Sequence, residues 1–206
     1  MTARIERVVT SGTFSIDGKD FDVENNIWLV GDDHEVLVID AAHDHEPIAA
    51  AVGDRRTVAV LCTHGHNDHI NAAVELAEAT GAPIWLHPDD TMLWEVVNPE
   101  RPVDADLADG QQIVVADSTF TILHTPGHSP GGCCLYDGNH GVLFSGDTLF
   151  NGGPGATGRS FSDEGTIIAS IRDRLLPLPD ATVVHTGHGD DTTIGAERVN
   201  LGGEGN

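Results

Sequence analysis

Residues 63–69, Thr63-His64-Gly65-His66-Asn67-Asp68-His69, decide how this chain is read. Three imidazoles and a carboxylate, His64, His66, Asp68 and His69, crowd into one short loop. Neutral imidazole nitrogen and carboxylate oxygen both suit Zn²⁺, Mn²⁺ and Fe²⁺. A solvated loop has no reason to concentrate histidine in this way, and a core has no use for so many unpaired polar groups. The run reads as a metal site.

Working outward, residues 57–62 form a near-continuous β-rich run suited to a buried strand, so the His run sits in the loop at its end. Residues 67–80 then read as a helix, with Ile70, Ala73, Val74 and Ala77 on one face and Gly81 as a stop. Upstream, 5–10, 26–30 and 36–39 look like strands of an antiparallel meander, followed by a helix over 41–52. Downstream come a strand at 83–87, a short helix at 91–97, and strands at 112–115, 120–124, 132–136 and 142–145. A helix at 166–176, a strand at 183–185 and a helix at 193–198 close the pattern. Two β-rich halves, each ending in helices, imply an α+β architecture of two sheets face to face with helices outside. We expect one domain over residues 1–200 and a flexible, Gly-rich tail over 201–206.

Three further segments each place a ligand-type residue just past a strand. His128 lies in Thr125-Pro126-Gly127-His128-Ser129, Asp147 in Phe144-Ser145-Gly146-Asp147-Thr148-Leu149-Phe150, and His188 in Thr186-Gly187-His188-Gly189. A rigid sheet aims such side chains, and a Gly-bearing loop lets backbone approach closely. The series HxHxDH, TPGHS, GDTLF, GHG and the following Thr192-Thr193-Ile194-Gly195 resembles the metallo-β-lactamase-fold hydrolases. The GDTLF and TTIG signatures resemble the glyoxalase II-like branch of that family.

The resemblance implies an αββα sandwich with a dinuclear metal site at one edge of the sheets. It implies that His64, His66 and His128 hold one divalent ion, that Asp68, His69 and His188 hold the other, and that Asp147 bridges them. Zinc is the expected metal, with iron and manganese as alternatives. Water activated between the two ions would be the nucleophile, so neither Ser nor Cys is needed, and Asp68 would orient it and receive its proton. Asp68 and Asp147 are thus the candidate catalytic residues.

Other positions narrow the substrate. β-Lactamases of the fold place Cys or Ser where Asp147 stands, and quorum-signal lactonases tend to carry Tyr at the position of Phe150. A net charge of −23, from 33 acidic against 10 basic residues, repels phosphate backbones and argues against nucleic acid and anionic membranes as partners. A thioester fits the chemistry, because its thiolate leaves with a pKa of about 8.5 and needs little acid help. The expected activity is therefore a thioesterase on an acyl conjugate of a low-molecular-weight thiol, similar to hydroxyacylglutathione hydrolases. In the loop 151–161, Asn151, Arg159 and Phe161 are the candidate substrate-binding residues, Arg159 for a carboxylate of the carrier. An ion pair that merely packs the loop is the competing reading of Arg159. Glyoxalase II enzymes carry a C-terminal helical domain where this chain ends, so another small thiol, or glutathione held more loosely, is expected.

Three alternatives stay open: a lactonase or other ester hydrolase, a mononuclear-iron persulfide dioxygenase, and a non-enzymatic metal-binding protein. The last fits least well, since a structural zinc site is closed by four ligands. Asp40, ending a strand near the metal edge, reads as a partner for the His loop or as solvent-exposed. His43 and His45 read as a solvated helix start, His87 and His124 as structural or pocket-lining, and His185 has no assigned role. No run of 18 apolar residues exists and residues 1–10 lack a hydrophobic segment, which speaks against membrane-spanning and secretory readings. Cys62, Cys133 and Cys134 have no CxxC spacing, and adjacent Cys133 and Cys134 would face opposite sides of a strand. Buried, reduced thiols in a cytoplasmic protein are expected.

Overall fold

The computed structural model describes residues 3–202. Strands β1 (Arg4–Ile16) and β2 (Lys19–Gly31) form a long antiparallel hairpin, and β3 (Glu35–Ile39) pairs with the inner end of β2 alone. Strands β4 (Arg56–Leu61), β5 (Ile84–Leu86) and β6 (Ala105–Asp106) add in parallel, giving the order β1-β2-β3-β4-β5-β6. The second sheet begins with β7 (Gln112–Val115), β8 (Ser118–His124), β9 (Cys133–Asp137) and β10 (Val142–Gly146). A small ribbon, β11 (Leu149–Phe150) with β12 (Gly153–Pro154), intervenes before β13 (Val183–Thr186) and β14 (Thr192–Thr193). The order of the second sheet is β14-β13-β10-β9-β8-β7. Helices α1 (His45–Val52), α2 (Asn67–Ile70), α3 (Ala73–Thr80) and α4 (Thr91–Val97) belong to the first half, and α5 (Glu164–Ser170) and α6 (Ile194–Gly202) to the second.

The period of two along each strand sorts side chains into layers. Ile27, Leu29, Val38 and Val60 face outward and pack with Ile48, Leu76 and Trp94 of the helices. Their neighbours Trp28, Val30, Leu37 and Leu61 face inward against Phe120, Leu135 and Phe144 of the second sheet. On the far side Leu143 and Val184 meet Ile167, Ile171 and Leu175. Each such buried large side chain contributes about 1.5–3 kcal/mol relative to exposure. The layers are therefore helix, sheet, sheet, helix, as the resemblance implied. Cys133 and Cys134 do face opposite sides of β9, and all three cysteines are free and buried.

Several boundaries differ from expectation. The hairpin is far longer than strands at 5–10 and 26–30, because Asp17 (φ 51°) and Gly18 (φ 70°) make a two-residue turn whose handedness matches strand twist. Its outer half carries only a short alternation, Phe14 and Ile16 on one arm and Phe21 and Val23 on the other, and none of its side chains is fully buried. The helix expected over 67–80 is broken after α2, where the Ala72 amide donates to the Ala41 carbonyl (3.1 Å). The helix expected from residue 41 starts only at His45, capped by Asp44, whose side chain accepts from the Glu46 amide at 2.9 Å. His43 consequently lies before the helix, half-buried and with φ of 64°, and is not a solvated helix start. The helix expected over 166–176 starts at Glu164 behind an Asp163 cap and continues from Ile171 to Leu175 as a π-helical turn. Residues 201–202 of the expected tail complete α6, while 203–206 lie outside the described residues. No helix among the described residues is long and apolar enough to cross a membrane.

Candidate metal centre

Parallel pairing of β3 with β4, and of β10 with β13, brings four carboxyl strand ends to one edge of the sandwich. Asp40 follows β3, the His run follows β4, Asp147 follows β10 and His188 follows β13. The His128 loop after β8 is tied in where the Cys133 amide donates to the Thr63 carbonyl at 2.8 Å. Gly187 has to be glycine, since a Cβ there would lie 2.3 Å from Asp147 Oδ1.

All seven expected ligand residues converge. His66 Nδ1 lies 3.0 Å from His64 Nε2 and 2.9 Å from His128 Nε2. In a second triad, His69 Nε2 lies 3.2 Å from His188 Nε2, and Asp68 Oδ2 is 3.7 and 3.4 Å from these two nitrogens. Asp147 stands between the triads. Its Oδ1 is 3.3 Å from His69 Nε2, and its Oδ2 is 3.4 Å from His188 Nε2 and 3.5 Å from His128 Nε2.

The outward ring nitrogens reveal the tautomers. His69 Nδ1 donates to Asp40 Oδ2 (2.8 Å), His128 Nδ1 to the Ala156 carbonyl (2.9 Å) and His188 Nδ1 to the Glu24 carbonyl (2.7 Å). Thr63 donates its hydroxyl to Asp40, so that hydroxyl accepts from His64 Nδ1 at 3.1 Å. In each of these four rings Nδ1 is thus taken up outward and Nε2 points inward. Asp40 is buried and also accepts from the Thr63 amide at 2.7 Å, so it orients His69 and anchors the loop instead of facing solvent.

Electrostatics divide the two triads. Burial holds His64 well below its ordinary pKa and His66 down to about 3, with neighbouring imidazoles adding to the effect. Burial acts the same way on His69 and His188, but the carboxylates led by Asp147 override it, raising His69 well above its usual value and His188 to about 10. Burial pushes Asp147 up, yet His69 and His188 hold it well below the usual carboxylate range. Burial thus favours neutral rings at His64 and His66, while the carboxylates around His69 and His188 draw positive charge to the second triad, where a cation would sit. Asp147 Oδ1 is buried without a hydrogen-bond partner. Three nitrogens in one triad, two nitrogens and an oxygen in the other, and a shared carboxylate fit divalent metal ions.

A residue outside every motif holds the site together. Asp90 is fully buried and accepts from the Gly65 amide (2.7 Å), the Ser129 hydroxyl (2.7 Å) and the Gly131 amide (2.6 Å). It staples the His64–His66 loop to the His128 loop. Burial raises its pKa against the pull of those three bonds. The only sequence signal was an Asp opening a helix, which is too common to single out.

The remaining candidates separate. Arg159 lines an open cleft of about 550 Å³ over the site, with Phe14, Phe21, Asp22, Glu24 and Phe150, and its guanidinium sits 4.5 Å from the Phe21 ring centroid. Asn151 is exposed and donates to the Asp191 carbonyl (3.2 Å), away from that cleft. Phe161, 56 % exposed, lines a second recess with Ile16, His66, Leu93, Val96 and Val97, which adjoins the first triad. His185 stacks on Phe144 and pairs with Asp191 at 2.9 Å. His87 and His124 cluster with Asp89, but their rings stack at 4.0 Å and 11°, so in-plane lone pairs run parallel instead of converging.

Comparison with known proteins agrees with this geometry. A family model described as the metallo-beta-lactamase superfamily matches residues 21–188. Hydroxyacylglutathione hydrolase GloC of Haemophilus influenzae is 36 % identical over 192 residues, covering 85 % of this chain and 90 % of the relative. The crystal structure of BLEG-1 B3 metallo-beta-lactamase superposes with a TM-score of 0.78 at 29 % identity, covering 92 % of this chain and 96 % of that one. That of TTHA1623 in a di-iron-bound form gives 0.76 at 34 % identity, covering 89 % and 95 %.

Proposed function

The chain belongs to the metallo-beta-lactamase superfamily, and from that premise we propose that it is a two-metal hydrolase, a thioesterase cleaving acyl conjugates of a low-molecular-weight thiol. One observation carries the reading: two triads of donors, joined by Asp147, lie at the floor of a cleft whose wall presents Arg159. His64, His66 and His128 would hold one ion, Asp68, His69 and His188 the other, and Asp147 both. Two such ions, zinc first and iron or manganese as alternatives, supply an activated water and stabilise the developing oxyanion.

The chain's own groups do the rest. Asp68, held below the usual carboxylate range by His69 and His188 against its burial, is free to take the proton of the attacking water. Phe150 stands in the cleft wall and has no proton to offer an alkoxide leaving group. A thiolate with a pKa of about 8.5 departs without such help. Arg159 is placed to pair with a carboxylate on the carrier. Asp22 and Glu24 in the same wall disfavour carriers bearing several phosphates. The name of the GloC relative supports a small-thiol conjugate as the substrate class. The net charge of −23 fits a small-molecule substrate in place of nucleic acid or membrane, and three free thiols suit the cytoplasm.

The test is elemental analysis of the purified protein joined to a panel of acyl-thiol, lactone, β-lactam and persulfide substrates. Two metals per chain and the highest kcat/KM on an acyl-thiol are expected. One iron per chain with oxygen consumed on a persulfide, or a β-lactam as the best substrate, overturns the proposal. Asp147→Ala is expected to lose bound metal and turnover together; a fully active variant refutes the bridging role.

A further inference from the structure

His43 and Asn25 touch the second triad in a way that the two-metal reading does not use. Asn25 is fully buried on β2, and its Nδ2 lies 3.2 Å from Asp68 Oδ2, 3.3 Å from His69 Nε2 and 3.4 Å from His188 Nε2. One amide group thus faces a donor atom of each member of that triad. Its other end, Oδ1, lies 2.8 Å from His43 Nε2.

An amide can sit either way round, so the orientation needs a cause. The cause begins at a backbone group. The His43 amide donates to Asn71 Oδ1 at 2.6 Å, which leaves Asn71 Nδ2 facing His43 Nδ1 at 3.3 Å. Nδ1 therefore accepts, the ring proton is on Nε2, and Nε2 donates to Asn25 Oδ1. The Asn25 NH₂ is left pointing at the triad, where it donates to Asp68 Oδ2. Reversed, the amide would set its oxygen against that carboxylate oxygen.

The surroundings are shaped to keep His43 in place. Its backbone holds φ of 64°, a region that costs a residue other than glycine about 1–2 kcal/mol. Its ring occupies the space a side chain at Gly12 would need, since a Cβ there would lie 2.2 Å from His43 Nδ1. Strain kept at a residue that touches a functional cluster points to a role for that residue.

We infer that Asn71, His43 and Asn25 form a hydrogen-bond relay that fixes the Asn25 amide and thereby holds Asp68 as a ligand of the second metal. His43 and Asn25 are positioning residues, and the inference rests on the two-metal reading above. Partners of this kind change metal affinity by about 10–100-fold. The relay contacts no donor atom of the His64, His66 and His128 triad, so it acts on one site alone.

The test is stepwise Co(II) titration of metal-free protein, followed by calorimetry and the visible spectrum. Wild type is expected to take up two ions. In Asn25→Ala and His43→Ala the first affinity stays within about twofold, and the second falls about 10-fold with a changed spectrum. His43→Gln keeps a donor for Asn25 Oδ1 and is expected to recover most of the second affinity; with Asn25→Ala it carries the test if His43→Ala fails to fold. Unchanged second-site affinity and spectrum in the folded variants overturns the relay. So does equal weakening at both sites, which marks a general structural role. A wild type that binds one Co(II) overturns the two-metal reading itself, and the relay with it.

Discussion

Replacing Asp90 by alanine tests whether the metal centre is held by a staple that contributes no ligand. Three donors lose their acceptor at once, the amides of Gly65 and Gly131 and the hydroxyl of Ser129, all in a fully buried place. The Ser129 hydroxyl can turn elsewhere, but the two amides cannot. Each buried, unsatisfied donor costs about 1–3 kcal/mol, so the two together cost about 2–6 kcal/mol. Against this, the wild type already bears the cost of burying a carboxylate, which is why burial raises the Asp90 pKa. Removing that carboxylate returns part of the loss, and a net destabilisation of about 3 kcal/mol is expected. Urea denaturation of metal-free protein at neutral pH reads it directly. Because Gly65 lies between His64 and His66, the first Co(II) affinity should also fall, by about 10-fold, with the second little changed. A loss under about 1 kcal/mol, or weakening confined to the second ion, would refute the reasoning.

Further outcomes follow from other parts of the structure. Arg159→Ala is expected to raise KM for a carboxylate-bearing thioester about 10-fold or more while kcat moves little, the loss expected for a charge-assisted bond made equally in ground and transition states; unchanged kinetics would leave Arg159 as loop packing on Phe21. Chelation of both metals should lower Tm by about 10 °C, since ligand at about a thousand times Kd contributes about 4 kcal/mol, and a thermal melt insensitive to chelator would speak against a bound metal. A hydrogen bond to Asp137 raises the pKa of His140, far from the site. A raised folded pKa means stabilisation that is full below about 6.5 and lost as pH climbs through the raised value. The Tm gap between wild type and His140→Gln should therefore be widest near pH 5.5 and close by pH 9; a gap constant across that range would contradict the assignment.

How much of this could be read from the residues depends on how local each signal is. The seven donors were legible because each sits in a short loop with its own glycines, right after a run of β-formers. The sandwich was legible because buried strands such as residues 57–62 are apolar without interruption. The hairpin arms were passed over, because residues 11–24 are rich in Ser, Gly and Asp and never fully buried, although Phe14, Ile16, Phe21 and Val23 alternate and Asp17-Gly18 signals the turn. The break between α2 and α3 was hidden for another reason: the captures at Asn71 and Ala72 come from the 41–43 segment, far off in sequence. Asn25, His43 and Asp90 share that invisibility. Each is an ordinary polar residue in its own neighbourhood, and only the closed fold puts its side chain against a metal-centre loop. Asn151 and Phe161 came from the likeness of their loop to that of glyoxalase II enzymes, and the fold puts Asn151 at the surface and Phe161 in a recess that His66 also lines.

The β1–β2 hairpin runs on past the end of β3. Beyond Ile27 it is a two-stranded ribbon that supplies Phe14, Phe21 and Asp22 to the cleft, and Asp17 near its tip accepts from Ser160 of the facing loop at 2.6 Å. None of these residues belongs to either donor triad. The ribbon thus serves two ends: its outer part lines the cleft, while Asn25 and the Glu24 carbonyl at its base bond Asp68 and His188 of the second triad. Changes confined to the tip would then reshape the cleft wall and leave the contacts to the second triad in place.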